Sequence, residues 1–267
     1  MADARRSSRR DRFGAGRRVA PGFTLIELLV VVAVVSTLIA ILLPALSRAR
    51  QQSRLSVCLA NQRSLGLAIQ SYASGSRDAI PRGPDIALPY YPVQKWNQWA
   101  TNQVWIGEMH QWQGLGPVLT NDLRDLEVLF CPADDTNDPV EELANLEARG
   151  AHSAFTSYLY RQLDQTTRDR IDNLGLNDVG LPARALLLDA NSLGAEDLHR
   201  TNHANRFVNI LFLDGHAGTF EQRQDVFAIR TSDYHGFPVS LERRLNEILV
   251  AADYAEGADP LEVPPLP

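Results

Sequence analysis

No G-x-S-x-G elbow, no P-loop and no H-E-x-x-H pair occurs in the 267 residues. Their absence removes the motif-bearing serine hydrolase, nucleoside triphosphatase and zinc-protease readings. No unit of 20–50 residues repeats, which excludes solenoids and propellers. With two cysteines, Cys58 and Cys131, the chain is not a disulfide-dense scaffold. It has one bridge between them in an oxidising compartment, or two buried thiols. Charge is missing from Leu28 through Leu46, and that gap organises everything else.

Counted from Phe23, the uncharged stretch is long enough to cross a hydrocarbon layer of roughly 30 Å. In lipid, a helix satisfies its own backbone despite the many β-branched residues, and Ser36 and Thr37 can return hydroxyls to the preceding turn. The flanking charge is lopsided. Residues 1–22 hold seven arginines against Asp3 and Asp11, a net of +5; taking that from the chain's −6 leaves −11 for the remainder. A basic flank stays cytoplasmic under the positive-inside rule, which sends the C-terminal part outward. The acidic remainder argues against nucleic acid as a partner. An ordinary secretory signal fits poorly, because Ser47-Arg48-Ala49-Arg50 lacks an A-x-A-like cleavage pattern after the apolar run. Glu27 is the anomaly, since a carboxylate in a span needs the interface or a partner.

Gly22-Phe23-Thr24-Leu25-Ile26-Glu27-Leu28-Leu29-Val30 resembles the class III signal of type IV pilins and type II secretion pseudopilins. The resemblance implies a cut between Gly22 and Phe23 by a prepilin peptidase and N-methylation of Phe23. It implies that Glu27 is the assembly carboxylate, pairing with the new amine of a neighbouring copy.

Past the span, Leu55, Leu59, Gln62, Leu65, Ile69 and Tyr72 keep helical spacing. One helix is expected from about Phe23 to Ser74, kinked at Pro44 and ended by Gly75 and Pro81. Residues 81–117 are rich in proline and hold all four tryptophans. Tyr90, Tyr91, Trp96 and Trp99 form a candidate stacking face for a glycan or peptide, or cover one end of the core. Leu126 to Phe130 reads as a strand stopped by Pro132. The acidic Asp134, Asp135, Asn137 and Asp138 lack the glycine and glutamate of an EF-hand loop, and Asp138 with Pro139 opens a short helix. Further strands are Ser157–Tyr160 and Ala185–Asp189. Val208, Ile210 and Phe212, then Asp214-Gly215 and Ala217–Phe220, read as a hairpin with a type I′ turn. Ser240 can cap a helix over Pro238 to Ala255 with Leu241, Leu245, Ile248, Leu249 and Ala252 as its apolar stripe.

Val57–Ala68 is similar to the segment after the span in a prepilin group abundant in planctomycete-type bacteria. Leu129-Phe130-Cys131-Pro132 is similar to that group's Phe-x-Cys-Pro segment, and His203…Asp214-Gly215 to its His-x9-Asp-Gly motif. Ten residues, not nine, separate His203 from Asp214 here, which puts the facing of the pair in question.

A metal set would draw on Asp189, His203, Asp214 and His216, with His199 nearby. Imidazoles with a carboxylate suit Zn²⁺, carboxylates with carbonyls suit Ca²⁺, and a turn-capping Asp with carbonyl-bonded histidines needs neither. No other cofactor is expected, and a His-Asp pair without a nucleophile gives no ground for an enzyme. The expected fold is α+β and pilin-like: a long N-terminal helix on an antiparallel sheet of about four to six strands, with a C-terminal helix. Its parts are a leader at 1–22, a transmembrane and assembly helix at 23–46, an amphipathic continuation at 47–75, an exported head at 76–256 and a proline-rich tail at 257–267. The expected role is a non-enzymatic subunit of a pilus or type II secretion pseudopilus in the cytoplasmic membrane. The alternative is a tethered binding module that never polymerises.

Overall fold

The structure, a computed structural model, describes residues 24–83, 100–135, 138–162, 170–194, 199–235, 239–255 and 257. The chain divides into two units, Met1–Ser47 and Arg48–Pro267. Helix α1, Leu25–Gly75, begins in the first and ends in the second.

In the first unit, the helix starts with a capping box. Thr24 N–H and Oγ1 both donate to Glu27 Oε2 at 2.8 Å, and Glu27 N–H donates back to Thr24 Oγ1 at 3.2 Å. Two otherwise orphaned donors at the helix start are thereby satisfied. Thr37 Oγ1 donates to Ala33 O, and the helix continues through Pro44. Its large apolar side chains from Leu25 to Leu46 stand 46–78 % exposed.

In the second unit, the distal half of α1 buries Leu55, Cys58, Gln62, Leu65, Gly66, Ile69 and Ala73 at three- and four-residue spacing. Gly66 is there for closeness: a Cβ on it would sit 3.1 Å from Leu211. Glycine costs a helix about 1 kcal/mol against alanine. Burying Leu55, Leu65 and Ile69 returns roughly 1.5–3 kcal/mol each, so packing wins.

The helix covers one face of a sheet built from β1 (Ala100–Ile106), β2 (Gln111–Trp112), β3 (Ala154–Arg161), β4 (Ala185–Asp189), β7 (Phe207–Phe212) and β8 (Ala217–Glu221). The six strands run β2-β1-β3-β4-β7-β8, every pair antiparallel. Alternation divides the residues between faces. Tyr158, Tyr160, Leu187 and Leu211 join α1 in one core. Leu159, Leu188, Ile210 and Phe212 join Ile248 and Leu249 of helix α4, Val239–Tyr254, in the other. A smaller sheet of β5 (Ser192–Leu193), β6 (His199–Arg200) and β9 (Ile229–Arg230) lies after β4, followed by helix α3, Thr231–His235. This is a pilin-like α+β fold.

Three local expectations need correction. Leu126–Leu129 is a 3₁₀ turn, not a strand, because the Asp125 carboxylate accepts from Glu127 N–H and winds the backbone. The β7–β8 turn is not type I′: Gly215 alone of its central pair has positive φ, at 88°. Its N–H donates to Phe212 O at 3.0 Å, the pattern of a longer loop with glycine in the left-handed position. Ser240 lies inside the first turn of α4 and donates to Asp233 O. Asp138, by contrast, caps helix α2, Pro139–Ala148, through Val140 N–H as expected.

Candidate functional site

The head's polar centre lies between the distal half of α1 and the sheet. Four elements bring Cys58, Cys131, Asp189 and His203 together, all buried, with their ligand atoms within 4.8 Å of one another. Among the described residues, it is the one such convergence of histidine, cysteine and carboxylate. Cys58 stands on the sheet-facing stripe of α1, and Asp189 ends β4 on the same face. Cys131 follows the 3₁₀ turn that seats Leu129 and Phe130 in the core.

His203 is aimed by strain. Residues His203, Ala204 and Asn205 all take φ of 52°, a left-handed conformation that costs roughly 1–2 kcal/mol for each L-residue. Side chains hold the turn in place. Asn202 Nδ2 donates to Ser157 O at 2.7 Å and to Ala190 O at 2.9 Å, while Asn205 Nδ2 donates to Asp225 Oδ1 at 2.8 Å. The turn precedes β7, so the strand's own alternation is left intact.

Cys58 Sγ donates to Asp189 Oδ1 at 3.0 Å, and Cys131 Sγ lies 3.4 Å from His203 Nε2. His203 Nε2 is 3.5 Å from Asp189 Oδ2. The carboxyl is fixed from outside the set: Gln62 Nε2 donates to Oδ1 at 3.0 Å and Asn209 N–H to Oδ2 at 2.8 Å. Ala133 N–H donates to Cys131 Sγ at 3.4 Å. Burial raises Asp189 to about 7, against the lowering by those hydrogen bonds. It lowers His203 to about 4, with Arg54 adding to the effect. The Cys58 thiol is pushed up, again chiefly by burial. Without a bound cation the imidazole is therefore neutral, and its contact with Asp189 is not an ion pair.

The residues expected in a metal set are only partly brought together. Asp189 and His203 meet, but Asp214 and His216 do not join them. They sit at the solvent-facing turn and pair with each other, His216 Nδ1 2.6 Å from Asp214 Oδ1. The reason is reach: β7 runs between His203 and that turn. His199 is exposed on β6. The two cysteines take the vacated places, as free thiols. In sequence they lie 73 residues apart with no C-x-x-C spacing, so no metal motif announced them. Asp134 and Asp135 are used structurally, accepting from Ser157 Oγ and from Thr201 N–H and Oγ1. Tyr90, Tyr91, Trp96 and Trp99 lie outside the described residues, as do Gly22 and Phe23. Trp105 and Trp112 cross edge to face at 5.0 Å in or against the first core.

On the opposite sheet face a cavity of about 230 Å³ is lined by Phe155, Leu159, Phe227, Ile229, Tyr234 and Ile248.

Residues 17–43 match the family described as Prokaryotic N-terminal methylation motif. That segment contains Gly22, Phe23 and Glu27 and most of the exposed apolar half of α1. The motif and the apolar helix it opens support a prepilin-like membrane protein, and among the described residues one helix is long and apolar enough to cross a membrane. The signal implies processing by a prepilin peptidase. No curated protein and no solved structure matches the chain.

Proposed function

We propose that the protein is a non-enzymatic structural subunit of a type II secretion pseudopilus or a type IV pilus-like fibre. It is held in the cytoplasmic membrane with its N-terminus inside and its acidic head outside. A prepilin peptidase cuts after Gly22, and Phe23 becomes the N-methylated terminus. The observation that carries this reading is the coincidence of the methylation motif with the half of α1, Leu25 to Leu46, whose large apolar side chains are exposed. Such a surface must be covered by lipid or by sister helices. Glu27, one turn into that helix, pairs with the Phe23 amine of the next copy, where low dielectric makes the charge pair a register mark.

Mass spectrometry of the intact membrane-extracted protein tests the processing step. A methylated Phe23 terminus is the expected result. An uncut chain, in cells whose other prepilins are cut, would overturn it.

A second reading, a tethered module that never polymerises, draws support from the cavity against α4. Its mainly apolar lining, with Asn102, Asn191, Ser192, Arg200 and Tyr234 as polar members, suits a small apolar or aromatic group of a peptide or glycan.

A further inference from the structure

We propose that Cys58, Cys131, Asp189 and His203 form a closed, structural Zn²⁺ site that ties the distal half of α1 to the sheet. The inference concerns the head and stands whether or not the chain assembles into a fibre.

Geometry is the first support. Tetrahedral Zn²⁺ with bonds of about 2.0 Å to nitrogen and oxygen and 2.3 Å to sulfur needs ligand–ligand separations of roughly 3.3–3.8 Å. The Cys131–His203 and His203–Asp189 edges are 3.4 and 3.5 Å, and Cys58–Asp189 is 3.0 Å. The two Asp189 distances end on different carboxylate oxygens, and all four ligand atoms lie within 4.8 Å of one another, so side-chain shifts of about an ångström bring the set to tetrahedral separations.

The donor set is the second. Two thiols, an imidazole and a carboxyl are what borderline-soft Zn²⁺ selects, whereas Ca²⁺ and Mg²⁺ want oxygen throughout. Four protein ligands with none open to solvent mark a structural rather than a catalytic site.

The surroundings are the third. A metal-binding carboxylate and thiolate need partners that orient them. Asp189 has Gln62 and Asn209, and the Cys131 sulfur has the Ala133 N–H. The left-handed turn at 203–205 stores strain that no strand or helix requires. Strain of this kind gathers where a side chain must be presented in one direction. A disulfide between the two cysteines would use neither the buried imidazole nor the buried carboxyl, and burying such groups costs several kcal/mol unless something repays it.

Binding replaces the two thiol protons with the cation, leaving a site of charge −1 with Arg54 close enough to bear on His203.

The test uses the full chain in detergent, reduced and stripped of metal, then titrated with Co²⁺ and Zn²⁺. One Co²⁺ per chain is expected, with the strong visible bands of a tetrahedral ion and thiolate charge-transfer absorption, both displaced by Zn²⁺. Cys131→Ser and His203→Ala should abolish that spectrum, and His216→Ala should leave it unchanged. Because misfolding of the first two would also abolish the spectrum, X-ray absorption at the zinc edge of the wild-type chain gives an independent reading. Two sulfur and two nitrogen or oxygen neighbours support the site. No uptake by the reduced protein, a sulfur-free shell, or uptake untouched in Cys131→Ser overturns it.

Discussion

Single residues carry the head's least ordinary features. Ala204 is in a left-handed conformation with φ of 52°, where its methyl group is a liability and glycine has none. Ala204→Gly removes roughly 1–2 kcal/mol of strain, less the added freedom of the unfolded chain. The net expectation is a gain of up to about 1 kcal/mol, seen as a higher denaturant midpoint for the full chain. A lower midpoint would mean that the alanine side chain is packed and that the turn is not strained. Arg161 and Asp253 show the opposite economy. They form a two-pronged pair at 2.8 and 2.9 Å with 1 % and 0 % of their side chains exposed. Asp253 also accepts from Asn177 Nδ2 and from the Arg184 and Ala185 N–H groups.

That carboxylate anchors an element. It fastens the end of α4 to β3 and to the start of β4, so Asp253→Ala leaves a buried guanidinium and two backbone donors without their acceptor. The expected loss is about 3–5 kcal/mol, read by thermal or denaturant unfolding. Retention of most of the stability would show that Arg161 is satisfied by other acceptors. Elements with a strong period were legible from sequence: α1 from its apolar run and then its stripe, α4 from its spacing, and β4 and β7 from β-branched and leucine-rich runs. The 3₁₀ turn at Leu126–Leu129 was not, because its apolar run looks like a strand until the Asp125 cap is weighed. The buried cluster was half legible. Asp189 and His203 stand out as polar residues beside apolar runs. The cysteines converge on them through tertiary packing, which leaves no mark in local spacing. Nor does the sequence explain Gly66 inside a helix; the approach of Leu211 does.

For the whole molecule, Glu27 decides between fibre and tether. In the single chain its carboxylate is occupied by Thr24 N–H and Oγ1. The pair can stay within the helix start or be exchanged for a neighbour's amine. Glu27→Ala should leave membrane insertion and head folding intact and abolish incorporation into a fibre, followed by shearing and immunoblot; unchanged behaviour favours the tether. The same chain order has a consequence for biogenesis. Cys58 meets Asp189, 131 residues later, and Gln62 meets Asn209, 147 residues later. At synthesis rates of about 5–20 residues per second, that is an interval of roughly 7–30 seconds. Throughout it Leu55, Leu65 and Ile69 have no sheet to lie on. Contacts of such long sequence separation also close slowly. The stripe is therefore an apolar surface that each nascent copy exposes until the sheet is complete, and a segment made before the head waits longest for its cover.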